Sequence, residues 1–315
     1  MTLPIGAAAA PCLKAASSAG DRQTQGLGFA AMWKLIALGT CLMAGPALAK
    51  PPVWIVRDQD SEMVLFGAVH VLPPGLDWRP AALDKALVQA DDLWFELPVG
   101  GATQAQVAAL ANAKGLLPHD QTLSGLLSPK GTANLAKVAK ALGLAPAALD
   151  RLEPWFAEVV LAGAEFRTSG ANAASGVEAT VQALAPVGLR REAFETAGGQ
   201  IALFDEAPLD AQIASLEEGL AEMTQNPGAY DRLLAAWMSG DTQALTRDAL
   251  DPLKRAAPML YDRLVSARNA DWTQTLDGRL KGRGRTVVVV GVGHLLTADG
   301  VPARLRALGY SVEGP

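Results

Sequence analysis

The chain has 315 residues, of which 50% are hydrophobic and 19% charged, with 27 Lys plus Arg against 32 Asp plus Glu and a net charge of −5. Disorder needs low hydrophobicity and high net charge, and nucleic-acid binding needs a basic field to neutralise phosphates. The composition argues against both, and the length suits one large α/β domain or two small ones.

Cys12 and Cys41 both fall within the first 50 residues, and the only histidines are His70, His119 and His294. A disulfide scaffold, a Cys-ligated zinc and a catalytic cysteine are therefore excluded from the body of the chain. Any pattern that uses two of three histidines carries information.

Residues 1–31 read as a non-translated or disordered leader, rich in Ala, Gly and Ser. From Met32 the text changes to a short basic region at Lys34, an apolar run from Leu35, and Ala47, Leu48, Ala49 as an A-x-A cleavage site. The expectation is a signal peptide over 32–49, cleavage after Ala49, and a periplasmic or secreted mature domain over 50–315. The apolar run is short for a membrane span of about 20 residues, so no stable transmembrane segment is expected after cleavage. A lipidated Cys41 and an uncleaved anchor are the alternatives.

Strands are expected at Val53–Val56, at Met63–Val69, which is almost continuously apolar, and around Leu93–Leu97. A helix over 80–91 lies between the last two. The middle reads as helical, over 104–114, 129–143, 154–167, 176–184, 209–224, 229–238 and 258–280, with one strand at Leu189–Glu195. The end returns to strand and helix: Thr286–Val290, Val301–Leu308 and Tyr310–Glu313. This order predicts an α/β fold with a mainly parallel central sheet built from both ends of the mature chain, and a helical middle as insertion or cap.

Four of these strands end in groups that bind metals or move protons. Met63–Val69 runs into His70 and Thr286–Val290 runs towards His294, each histidine preceded at three residues by a glycine, Gly67 and Gly291. Glu96 and Glu195 stand near the ends of the other two. Ligands of open parallel sheets bind outside the carboxyl ends of the strands. Two imidazoles and two carboxylates there form a nitrogen and oxygen set suited to zinc, manganese or cobalt. Such an ion activates water while a spare carboxylate serves as general base. Either glutamate could be ligand or base; Glu96 is preferred as base because Phe95 and Leu97 flank it with apolar bulk that would raise its pKa. His119 reads as a surface loop residue.

The same segments carry a family resemblance. Val53 to Asp58, Val64 to Pro74 through His70, Ala90 to Glu96, Glu195 with Thr196, Arg268 to Trp272, and Val290 to Leu295 with Gly309 to Val312 resemble the TraB/GumN family over about residues 52–313. Its wider group includes the Tiki metal-dependent proteases, and it is similar to the erythromycin esterase and ChaN-like fold. The resemblance implies that His70, Glu96, Glu195 and His294 line one site. It implies that Arg268 joins them as an anion or carboxylate partner, and that Glu178 is a further carboxylate near the site. The implied function is an exported metal-dependent, peptidase-like hydrolase acting on a peptide or small molecule, with Glu96, Glu195 and Arg268 as catalytic residues. The alternatives are a non-catalytic binding protein for a haem-like ligand and an accessory protein of envelope polysaccharide export.

Overall fold

The structure, a computed structural model, describes residues 50–315. The expected leader, signal peptide and cleavage site fall on residues 1–49, outside the described residues. No helix among the described residues is long and apolar enough to cross a membrane.

Six strands form one mixed sheet in the order β4-β3-β5-β2-β1-β6: β1 (Val53–Arg57), β2 (Ser61–Ala68), β3 (Asp92–Phe95), β4 (Arg190–Ala193), β5 (Gly284–Gly291) and β6 (Ser311–Glu313). The pairs β2 with β5, β3 with β5 and β3 with β4 are parallel, and only β1 runs against its neighbours. The α/β sheet is thus assembled from both ends of the described chain, as its strand pattern predicts. Position in the sheet follows from side chains. Val287–Val290 and Met63–Phe66 are each at most 3% exposed, as strands covered on both faces must be. Burying one such valine stabilises the fold by about 1.5–3 kcal/mol. β4, with exposed Arg190 and Arg191, takes an edge.

At the start of β3, Asp92 is fully buried and offset by charge: Arg190 Nη2 and Arg279 Nε donate to its Oδ2 at 2.5 and 2.8 Å, and Trp94 Nε1 donates to Oδ1 at 3.1 Å. A buried carboxylate is tolerated when it is paired and hydrogen-bonded in this way.

The helical middle has a core of its own. Leu123, Leu135, Val138, Leu161, Leu216 and Leu220 pack together apart from the cluster that covers the sheet. A carboxyl is carried into this region. Glu158, on helix Pro154–Thr168, accepts a hydrogen bond from Ser215 Oγ at 3.1 Å, and burial pushes its carboxyl up to about 7. The folded state then holds this proton more tightly than the unfolded state, so stability is expected to fall as pH rises from about 4.5 to 7. Glu158→Gln should remove that part of the slope: urea midpoints of the two proteins should converge near pH 4.5, with the variant the more stable at pH 8. Parallel curves across this range would show that Glu158 is ionised at no cost.

The segment 258–280 is helical throughout but not uniform. Helix Pro258–Tyr261 passes through a π-turn, Asp262–Ser266, into helix Ala267–Leu280. Such bulges shift the register of the helix downstream and recur at functional sites. Arg268 is the second residue after it.

Candidate functional site

β2, β3 and β5 deliver His70, Glu96 and His294 to the same end of the sheet. His70 stands two residues beyond β2, Glu96 one residue beyond β3, and His294 lies in a 3₁₀ turn, Val292–Leu295, directly after β5. Because β5 lies between β3 and β2, the three converge around Gly291. A Cβ at Gly291 would stand 3.1 Å from Glu96 Oε1, 3.5 Å from His70 Nε2 and 3.7 Å from His294 Cδ2. Only glycine leaves that space open.

Arg268 occupies the centre. Its Nε and Nη2 donate to Glu195 Oε1 and Oε2 at 2.6 and 3.0 Å, a bidentate fork, while Nη2 also donates to Glu96 Oε2 at 2.6 Å. Nη1 donates to Leu264 O at 2.9 Å and to His294 Nε2 at 3.0 Å. The guanidinium also stacks over Trp272, 4.6 Å from the ring centroid. Glu195 lies just past β4, and its backbone N–H donates to Glu96 O at 2.9 Å, so the β3–β4 pairing continues beyond the strand proper. Both Glu195 oxygens are committed: besides the arginine, Oε1 accepts from Trp272 Nε1 at 3.1 Å.

Each imidazole is oriented through its Nδ1. His70 Nδ1 is 2.6 Å from Glu178 Oε1. Glu178 is aimed there because helix Val177–Leu184 starts against the end of β2: Val177 N–H donates to Val69 O at 3.2 Å, and a Cβ at Gly176 would collide with the His70 carbonyl oxygen. His294 Nδ1 is 2.7 Å from Asn269 Oδ1, whose Nδ2 donates to Asp299 O at 3.0 Å. That second bond sets the amide orientation, so His294 carries its proton on Nδ1 and leaves Nε2 as an acceptor for Arg268.

Electrostatics sort the groups. For Glu96, burial favours the neutral acid, but His294, Arg268, His70 and the Gly291 N–H, which donates to Oε1 at 2.6 Å, together lower it to about 2. The flanking Phe95 and Leu97 predict a raised pKa; the structure reverses this, because His294 and then Arg268, both remote along the chain, outweigh burial. For His294, burial dominates and lowers it to about 4, so the ring is neutral at neutral pH. The Glu178 carboxylate raises the His70 imidazole, although this side chain is 64% exposed and solvent screens the pair.

The donor chemistry fits a divalent ion. His70 Nε2, His294 Nε2 and Glu96 Oε1 face one small space, and each imidazole donates its other N–H to an oxygen, the arrangement that fixes metal-ligating histidines. Arg268 holds His294 Nε2 in this conformation, and among the described residues no three His, Cys, Asp or Glu side chains already stand in ligand geometry. Ligation by His294 requires the guanidinium to release that nitrogen.

Five of the residues expected from the sequence, His70, Glu96, Glu195, Arg268 and His294, are therefore brought together, with Glu178 behind His70. His119 lies in an exposed turn away from them. Asn269 and Trp272 enter the site without having been assigned a role from sequence. The available signal for Asn269 was its place inside an amphipathic helix, since an asparagine buried there, at 0% exposure, must have partners. No curated protein and no solved structure matches the chain. The profile of the TraB/PrgY/gumN family matches residues 52–314, which hold the whole sheet and every residue of the site, and the chain belongs to that family.

Proposed function

We propose that the site is the centre of a metal-dependent, peptidase-like hydrolase, exported from the cytoplasm. The observation that carries this reading is the pair of histidines, 70 and 294, each with Nδ1 tied to an oxygen and both converging with Glu96 on the space kept open by Gly291. His70, His294 and Glu96 would hold the ion. When bound, it would lower the pKa of a coordinated water and polarise a carbonyl. The rest follows from the chain's own groups. Burial keeps His294 unprotonated, as a ligand must be. Arg268 keeps Glu96 ionised, and a carboxyl lowered to about 2 suits ligation better than proton abstraction at neutral pH. Glu195 acts through Arg268, fixing it with a two-point fork.

His70 gives the cleanest test, because its side chain is exposed and contributes little to the core. His70→Ala, dialysed against zinc and then against buffer, should retain at least tenfold less metal by elemental analysis while melting like the parent. Equal metal content in the two proteins would rule out His70 as a ligand. A second reading has one observation in its favour: an exposed histidine at the mouth of an apolar cavity also suits axial ligation of haem. A Soret band on titration with haemin, lost in His70→Ala and accompanied by no zinc retention in the parent, would favour binding over hydrolysis.

A further inference from the structure

Two cavities meet at the site. One, of about 540 Å³, lies between helix Gly101–Lys114 and helix Pro154–Thr168, with Leu97, Val99, Val107, Phe156 and Val159 on its walls. The other, of about 680 Å³, is walled by Phe166, Phe204, Tyr230, Leu253 and Leu264. His70, Glu96 and Gln200 line both. Each lies within the range of roughly 300–1,000 Å³ that a small-molecule pocket occupies, and together they exceed it. A ligand filling both must be long and must cross the His70–Glu96 centre.

The arms differ in charge. Beyond the shared residues and Glu178, the first holds no charged side chain. The second carries Glu165, Glu222 and Asp248 against Arg232 and the site's own Arg268. Arg232 is taken by Glu222 at 3.2 Å and Asp248 by Arg247 at 2.7 Å, which leaves Glu165 as the carboxylate of this arm without a direct ion pair among the described residues. Burial, then Asp231, raise the Glu165 carboxyl, and Arg232 offsets only part of that rise. At the junction the Gln200 side-chain amide makes no hydrogen bond to another described residue, so its donor and acceptor are open to a ligand. Apolar groups on one side, cationic groups on the other, and a repeating amide between them describe a polypeptide. A glycan would demand many polar partners, and the walls are mostly apolar.

We propose that the two cavities are arms of one cleft that holds an extended polypeptide across the His70–Glu96 centre, with apolar side chains in the Val107 arm, basic side chains in the Glu165 arm, and Gln200 hydrogen-bonded to the peptide backbone between them. The fate of the peptide at the centre rests on the hydrolase reading; the cleft does not, and binding is measured apart from cleavage.

Fluorescence anisotropy on the full mature chain, with and without zinc, should use a ten-residue labelled peptide bearing leucine and phenylalanine in one half and lysines in the other, made in both orders. One order should bind at least tenfold tighter than either five-residue half, since linking two subsites raises affinity without new contacts. Ala108→Trp, at an exposed helical position on the first arm, should abolish the gain from the apolar half only. Glu165→Gln should abolish the gain from the basic half only. Gln200→Leu should weaken the long peptide several-fold without shifting the melting temperature. Halves that bind as tightly as the whole would overturn the proposal. Displacement of the peptide by oleate at lower concentration than by unlabelled peptide would also do so, assigning the arms to an acyl chain. Tight binding of the long peptide without cleavage would uphold the cleft and count against the hydrolase. Cleavage of short peptides without the length effect would do the reverse.

Discussion

Replacing Arg268 with methionine is expected to lower stability by about 3–5 kcal/mol at neutral pH, the usual result of removing one partner from a buried ion pair. Side chains of Arg268, Glu96 and Glu195 are only 11–14% exposed, and the guanidinium is the cation they share. Methionine restores the volume but leaves two carboxylates facing one another, so the loss is electrostatic rather than a cavity effect. The pH dependence gives the sign. In the parent, Glu96 titrates at about 2, below its ordinary value, so its contribution is present above about pH 4.5 and is lost as pH falls towards 2. In Arg268→Met the Glu96 pKa should rise, because a main lowering influence is gone. Stability of the variant should then increase more steeply than that of the parent as pH falls from 7 towards 5, the parent's slope there coming from Glu158. Urea unfolding at several pH values decides this. A variant as stable as the parent at pH 7, with the same slope, would mean that solvent reaches the pair and that the arginine does not hold the site together. Arg268→Lys should recover part of the loss, since it restores the charge without the fork.

Removal of residues 286–315 is expected to abolish cooperative folding. The deletion takes β5 from between β3 and β2, and β6 from the far edge. Val287–Val290, each at most 1% exposed, would be lost from the core together with Val301 and Leu305. Unpaired edges of β2 and β3 would then face solvent, which favours aggregation over a smaller native state. The truncated chain should be insoluble, or should show no sigmoidal thermal transition by circular dichroism. A soluble truncate with a sharp transition would mean that the helical middle and β1–β4 suffice, and that β5 joins an already formed sheet.

Much of the sheet was legible in the residues themselves. A buried parallel strand needs apolar side chains on both faces, and Thr286–Val290 and Met63–Val69 have them, so their type and depth follow from local chemistry. Glycine three residues before each histidine marked two strand ends as places of close backbone approach, and Gly291 bears that out. The edge strand was less distinct: Leu189–Glu195 alternates weakly, and the regular part shortens to Arg190–Ala193 because only that stretch pairs fully with β3. Helix 258–280 read as one amphipathic run; the π-turn at Asp262–Ser266 was not read from it, because one inserted residue shifts the apolar stripe without interrupting the helical pattern.

The site divides the same way. His70, Glu96, Glu195, Arg268 and His294 are individually visible, since they are polar groups at the ends of apolar strands or on a helix that packs against them. Their relation is not, because it depends on strand order. Placing β5 between β3 and β2 sets Glu96 beside both histidines, although 198 positions separate Glu96 from the more distant one. The direction in which Glu96 titrates depends on the same fact. Its neighbours along the chain, Phe95 and Leu97, argue for a raised pKa; its neighbours in space, His294, Arg268, His70 and the Gly291 N–H, lower it. Local sequence therefore determined which segments become buried strands and which polar groups stand at their ends. Only the tertiary structure decided what those groups touch, because an electrostatic environment is set by distance in space, and charges remote along the chain dominate it once solvent is excluded.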